Sequence, residues 1–159
     1  MIKIKKLHHA AYRCKDSEKT RKFYEDFLGL KLCKAFQIDI TKSGRKVKVL
    51  HTFYKLADGS NIAFFEEPNS SFNFKNQKDF DLHIAFEVSL KVLKKMYHRG
   101  VENGIETRGI IDHGFIKSIY LRDPNGYVIE LAYPVRKKNK NDKTSAKKIL
   151  DGWQLSKNH

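Results

Sequence analysis

Cysteine is scarce in this 159-residue chain, which has only Cys14 and Cys33. Two thiols cannot build a disulfide framework, and this removes the small, disulfide-stapled secreted folds. Cys14 lies in an apolar-alternating segment and reads as packing rather than as a reactive thiol. No apolar run approaches the roughly 18 residues that a membrane span needs, so no membrane partner is expected. Residues Met1 to His9 carry charge but no apolar core behind it, so no signal peptide is expected and a reducing cytoplasm is the default. Acidic residues are few as well: 18 Asp and Glu against 32 Lys and Arg, for a net charge of +14. That surplus invites a nucleic-acid reading. However, eight of the basic residues fall between Arg136 and His159, against only Asp142 and Asp151, and the rest are thinly spread. There is no basic helix in a helix-turn-helix setting and no strand of paired aromatics and glycines, so no nucleic-acid partner is expected. The excess charge can still draw anionic small molecules toward a cleft.

What the chain does have is apolar material and an internal repeat. Forty per cent hydrophobic residues, with 11 Phe and 7 Tyr, can build the core of one domain or of two half-domains that share it. His9-Ala-Ala-Tyr aligns with His83-Ile-Ala-Phe, and Phe23 falls on Tyr97. Further along, Gly59-Ser-Asn-Ile-Ala-Phe aligns with Gly126-Tyr-Val-Ile-Glu-Leu, so Ala63 meets Glu130. Two copies at this period indicate a duplicated module rather than a solenoid.

Each copy reads as strand, helix and three strands. Period-two alternation predicts strands over Leu7–Cys14 and Leu82–Val88. Asp16 or Ser17 caps a helix with a Phe23, Tyr24, Phe27 and Leu28 stripe, ended by Gly29; Ser89 caps its counterpart. Strands are then predicted over Leu32–Ile40, Lys46–Leu56 and Asn61–Glu66, and over Glu106–Ile111, Phe115–Arg122 and Tyr127–Tyr133. The division expected is a first module at 1–67, a polar linker at 68–81, a second module at 82–135 and a basic tail at 136–159. Lys137 to Lys148 are expected to be mobile. Ile149, Leu150, Trp153 and Leu155 are expected to dock as a short helix on the body or on a neighbouring subunit.

Alternation also assigns directions. Ala10, Tyr12 and Cys14 should pack on the helix, and so should Ile84, Phe86 and Val88. His9, His83 and Glu130 then stand on the opposite faces, and they line one trough if the two sheets join and curl. A carboxylate in a cleft is costly unless it is paired. A divalent metal removes that cost, and two imidazoles with one carboxylate form a facial triad suited to Fe(II), with positions open for water, substrate or dioxygen.

These motifs, together with Phe23-Tyr24-Glu25-Asp26-Phe27-Leu28-Gly29-Leu30 and Ser118 through Leu131, resemble the vicinal oxygen chelate superfamily. That group includes glyoxalase I, type I extradiol dioxygenases, fosfomycin-modifying thiol transferases and bleomycin-resistance proteins. The resemblance covers residues 7 to about 134. It implies an α+β fold in which two βαβββ modules form an incomplete barrel around one metal. Fe(II) is favoured, and Zn, Ni, Co or Mn are alternatives. It also implies a homodimer and a small-molecule substrate. Glyoxalase-like members supply a second carboxylate where this chain has Ala63. Extradiol dioxygenases match better, because they carry a Tyr ten residues before the metal Glu, here Tyr120, and a His upstream of it, here His113. The expected activity is therefore ring cleavage of a catechol-type vicinal diol, with Tyr120 and His113 catalytic. His51, which maps onto Ser118, and Lys55 are expected to bind substrate. The alternatives are a glyoxalase-type isomerase or lyase, a thiol transferase, and a binding protein without turnover.

Overall fold

The computed structural model describes residues 2–135 and 142–157. Its elements run β1 (His9–Arg13), α1 (Ser17–Arg21), β2 (Lys31–Ile40), β3 (Lys46–Lys55) and β4 (Asn61–Glu66). They continue with β5 (His83–Glu87), α2 (Leu90–Glu102), β6 (Thr107–Asp112), β7 (Ile116–Arg122), β8 (Val128–Pro134) and α3 (Asp142–Ser156). The strands form two four-stranded mixed sheets, ordered β1-β4-β3-β2 and β5-β8-β7-β6, and the two are not closed into a barrel. In each sheet the first strand runs parallel to the last and the remaining pairs are antiparallel. The expected α+β architecture of paired βαβββ units is thus the one observed. Among the described residues no helix is long and apolar enough to cross a membrane.

The local signals act as chemistry requires. Asp16 caps α1 by accepting from the Lys19 amide, and Ser89 caps α2 by accepting from Val92. Beyond α1 the helix widens into a π-helical turn over Lys22–Phe27, in which the Leu28 amide donates back to the Phe23 carbonyl. The wider turn buries Phe23, Tyr24 and Phe27 together. On α2, Gly100 lies flat against β6 and β7. A Cβ there would overlap Thr107 Oγ1 and crowd Leu121 Cδ2 at 2.9 Å. Gly100→Ala is therefore expected to cost about 1–3 kcal/mol of stability by overpacking, measured as a lower urea midpoint with an unchanged slope.

The helix-bearing faces of both sheets feed one core. Tyr24, Tyr54 and Phe64 from the first half join Leu93, Ile119 and Ile129 from the second. Polar contacts cross the same junction. Tyr24 O–H donates to Asp123 (3.0 Å), Arg99 donates to the Asp26 carbonyl (2.8 Å), and the Lys15 amide donates to Asn125 Oδ1 (2.9 Å).

The tail departs from its expected form. Residues 136–141, where the expected mobility begins, lie outside the described residues. The helix starts at Asp142, well before Ile149, because the sequence from there holds no Pro and only Gly152 as a weak point. Ile149, Leu150, Trp153 and Leu155 do not dock on the body of this chain; all four remain exposed.

Candidate metal centre

The chemistry gathers on the outer face of the second sheet. β5 and β8 run parallel with His83 opposite Val128 and Ala85 opposite Glu130, and β7 brings Tyr120 directly beside Glu130. The Glu130 carboxylate is buried, with 4% of its surface exposed, so every contact it makes matters. Ser118 Oγ donates to its Oε1 at 2.5 Å, and the Tyr120 hydroxyl lies 3.5 Å from the same oxygen. His113 Nε2 lies 3.1 Å from the Tyr120 hydroxyl. Tyr120 has one proton to give and thus links the imidazole to the carboxylate side. Burial, and next the Glu130 charge, push its phenol above the usual value, so it stays protonated.

His83 completes the corner. Its Nδ1 is 2.7 Å from the Asp79 carbonyl, which can only accept, so Nδ1 carries a proton. Its Nε2 then faces Glu130 Oε2 at 3.2 Å. In a neutral imidazole that nitrogen is a lone pair pointed at a carboxylate, and two acceptors at that separation repel. Either a proton or a cation must lie between them. A backbone acceptor on the far nitrogen is the usual orientation of a metal-binding histidine. The donor types fit a divalent cation, which His83 Nε2 and Glu130 Oε2 would hold between them.

The third expected ligand stands elsewhere. Among the described residues no three His, Cys, Asp or Glu side chains are grouped to hold a metal, so His9 does not join His83 and Glu130 within this chain. Because the helix faces of the two sheets share a core, the faces bearing His9 and Glu130 are turned away from that core on separate sheets.

The first sheet's outer face has its own character. His9 sits against His8 (Nδ1 to Nδ1, 2.8 Å) and against the Phe53 ring at 5.6 Å. His51 is buried, stacks on Phe65 with ring centres 3.6 Å apart, and meets Phe36 and Phe53. Its Nδ1 bonds to the Phe64 carbonyl at 2.9 Å, and burial lowers its pKa so that it stays neutral. Lys34 lies over Phe36 and Phe53. Lys55 is exposed at the end of β3, opposite Lys31 and Asn61. His51 and Lys55 thus share the face of His9, not the corner of Glu130. An open cleft of about 570 Å³ lies between the modules, lined in part by Lys19, Phe23, Ile105 and Arg122; it contains neither His83 nor Glu130.

Sequence reasoning missed the Asp79 carbonyl, because a backbone acceptor leaves no residue-type signal. Ser118 was marked in the sequence as the position onto which His51 maps by the repeat.

Comparison with known proteins agrees with this fold. The family model described as Glyoxalase/Bleomycin resistance protein/Dioxygenase superfamily matches residues 6–131. No curated protein matches the chain. Among solved structures, a glyoxylase/bleomycin resistance protein/dioxygenase domain from Frankia sp. EAN1pec superposes with TM-score 0.68 at 18% identity, covering 86% of this chain and 96% of that one. A point mutant of the fosfomycin resistance protein FosX from Listeria monocytogenes, complexed with Mn(II) and 1S,2S-dihydroxypropylphosphonic acid, gives 0.62 at 20% identity, with 86% and 96% covered. TnmS3, an antibiotic binding protein from Streptomyces sp. CB03234, gives 0.61 at 16% identity, with 84% and 99% covered. At these identities the likeness shows the fold alone.

Proposed function

The chain belongs to the glyoxalase/bleomycin resistance protein/dioxygenase superfamily, and from that premise we propose that it is a metal-dependent enzyme cleaving the ring of a small catechol-type diol. The observation that carries the metal reading is the His83–Glu130 corner, where Nε2, the lone-pair nitrogen of an imidazole whose Nδ1 proton goes to the Asp79 carbonyl, faces a buried carboxylate. His9 of a second copy supplies the third ligand, since the two outer faces that hold the donors are on separate sheets. FosX shows that a chain of this fold can hold Mn(II) with a diol-bearing phosphonate. Fe(II) bound to two imidazoles and one carboxylate would hold the two substrate oxygens and pass electrons between substrate and dioxygen.

The chain's own residues have separable tasks. The Tyr120 hydroxyl, kept protonated, donates a hydrogen bond to a substrate oxygen beside Glu130. For the substrate's phenolic proton to leave, Tyr120 passes its own proton to His113 Nε2 and takes up the substrate's in its place, which then donates to the oxyanion left behind. The Tyr120–His113 pair favours ring cleavage over isomerase chemistry, as does the missing second carboxylate at Ala63. The aromatic face of Phe36, Phe53 and Phe65, brought by the second copy, forms an apolar wall for a flat ring and excludes water. Lys34 and Lys55 on that face suit a substrate with an anionic substituent.

The test begins with metal analysis of untagged protein beside His83→Ala and Glu130→Ala. About one equivalent of iron per chain, absent from both variants, followed by oxygen uptake on a catechol panel, is the expected result. One equivalent of zinc, nickel or cobalt without oxygen uptake would move the assignment to isomerase or transferase chemistry. No metal, even after anaerobic reconstitution, would leave a binding protein.

A further inference from the structure

We propose that Asp79 and Arg108 form a positioning pair that aims His83 at the metal, an inference that rests on the metal reading of the His83–Glu130 corner. The contacts close into a ring. His83 Nδ1 donates to the Asp79 carbonyl (2.7 Å), and the Asp79 carboxylate pairs with Arg108 Nη2. The Arg108 guanidinium lies 4.7 Å from the centre of the Tyr120 ring. The Tyr120 hydroxyl reaches Glu130, whose other oxygen faces His83 Nε2.

The segment before β5 is therefore more than a spacer. Upstream it is tied to the β7–β8 turn, where the Gln77 amide donates to the Gly126 carbonyl and Arg122 donates to the Gln77 carbonyl. That approach requires glycine, since a Cβ on Gly126 (φ +97°) would come within 2.5 Å of the Lys75 carbonyl. Downstream a tight turn forms, in which the Asp81 and Leu82 amides donate to the Lys78 carbonyl. Asp79 lies inside this turn, and the neighbouring Phe80 is fully exposed and anchors nothing. The Asp81 carboxylate closes the turn by accepting from the Lys78 amide (3.4 Å), and the ion pair to Arg108 adds the tie from Asp79 itself to the sheet that carries Tyr120 and Glu130.

Exposure separates this role from a structural one. The Arg108 side chain is 57% exposed and that of Asp79 31%, so the pair adds little to global stability. Its effect lies in fixing the tautomer and ring direction of a metal ligand, where loss of such a partner typically weakens metal binding by about 10- to 100-fold.

The experiment is a Co(II) titration of the full-length protein, read by visible absorbance, with the thermal midpoint of each variant measured in parallel. Arg108→Ala and Asp79→Ala are each expected to weaken Co(II) binding roughly tenfold or more at an unchanged thermal midpoint. The double variant should be no worse than either single one, because both act through one contact. Arg108→Lys should recover part of the affinity. Single variants that bind Co(II) like wild type, effects that add, or losses that only follow falling stability would overturn the pair while leaving the metal centre intact. Wild-type protein that takes up no Co(II) would overturn the metal reading and the pair with it. Should Arg108→Ala fold poorly through loss of its Tyr120 contact, Asp79→Ala still tests the pair, since Asp79 makes no stacking contact with that ring.

Discussion

Mixing two inactive variants, His9→Ala and Glu130→Ala, restores turnover if the site is built from two copies of the chain. Each variant alone loses one ligand from every site. In a mixed dimer, one site combines both lesions and the other draws His9 from the Glu130→Ala chain and His83 with Glu130 from the His9→Ala chain. Free exchange of equal amounts makes about half of the dimers mixed, so roughly a quarter of all sites are intact. The readouts are oxygen uptake and Co(II) bound per chain, against the zero baseline of each variant alone. The expectation follows from the packing: one core ties the helix faces together, so the two outer faces cannot fold toward each other without breaking it. His83, with 42% of its side chain exposed, and Phe36, at 39%, stand on those faces. No recovery under proven subunit exchange would place the third ligand elsewhere.

Much of this geometry could be read from the sequence because it depends on parity. Alternation set Ile84 against His83 and Ile129 against Glu130, and the structure buries Ile84 and Ile129 in the core while His83 and Glu130 meet on the other face. The caps Asp16 and Ser89 were legible because capping depends on residue type at a fixed offset. The repeat was legible because the histidines of β1 and β5 occupy equivalent strands. What could not be read was how the two sheets sit. Parity says which face a residue is on, but not whether two such faces meet, and that was settled by Tyr24, Phe64, Leu93 and Ile119 sharing one core. The π-helical turn was hidden for a related reason, since Phe23, Tyr24 and Phe27 also fit an ordinary helical stripe. Asp79 falls in the polar linker and Arg108 in a predicted strand, and only their three-dimensional contacts with His83 and Tyr120 set them apart.

The junction between the modules yields the largest expected stability effect. Asp123 Oδ1 accepts from the Asn125 and Tyr127 amides, each at 2.8 Å, and Oδ2 accepts from Tyr24 O–H and Asn125 Nδ2. Tyr24 and Asn125 are at most 1% exposed, so water cannot take over these donors once the carboxylate is gone. Asp123→Ala is expected to cost about 3–5 kcal/mol, a large share of a typical 5–15 kcal/mol fold, measured by urea unfolding. A loss below about 1 kcal/mol would mean the junction relaxes and refills. Burial raises the Asp123 carboxyl above its ordinary value, and its hydrogen bonds only partly oppose this. Raised in the folded state, it stabilises fully below the unfolded carboxylate value of about 3.9, and that contribution falls as pH rises through the folded value. Against Asp123→Asn, which cannot titrate, wild type should therefore lose relative stability from acid toward neutral pH. The opposite trend would mean that the four donors hold the ionised form more strongly than burial opposes it. In that case the junction would fail in acid instead, when the carboxylate takes up its proton.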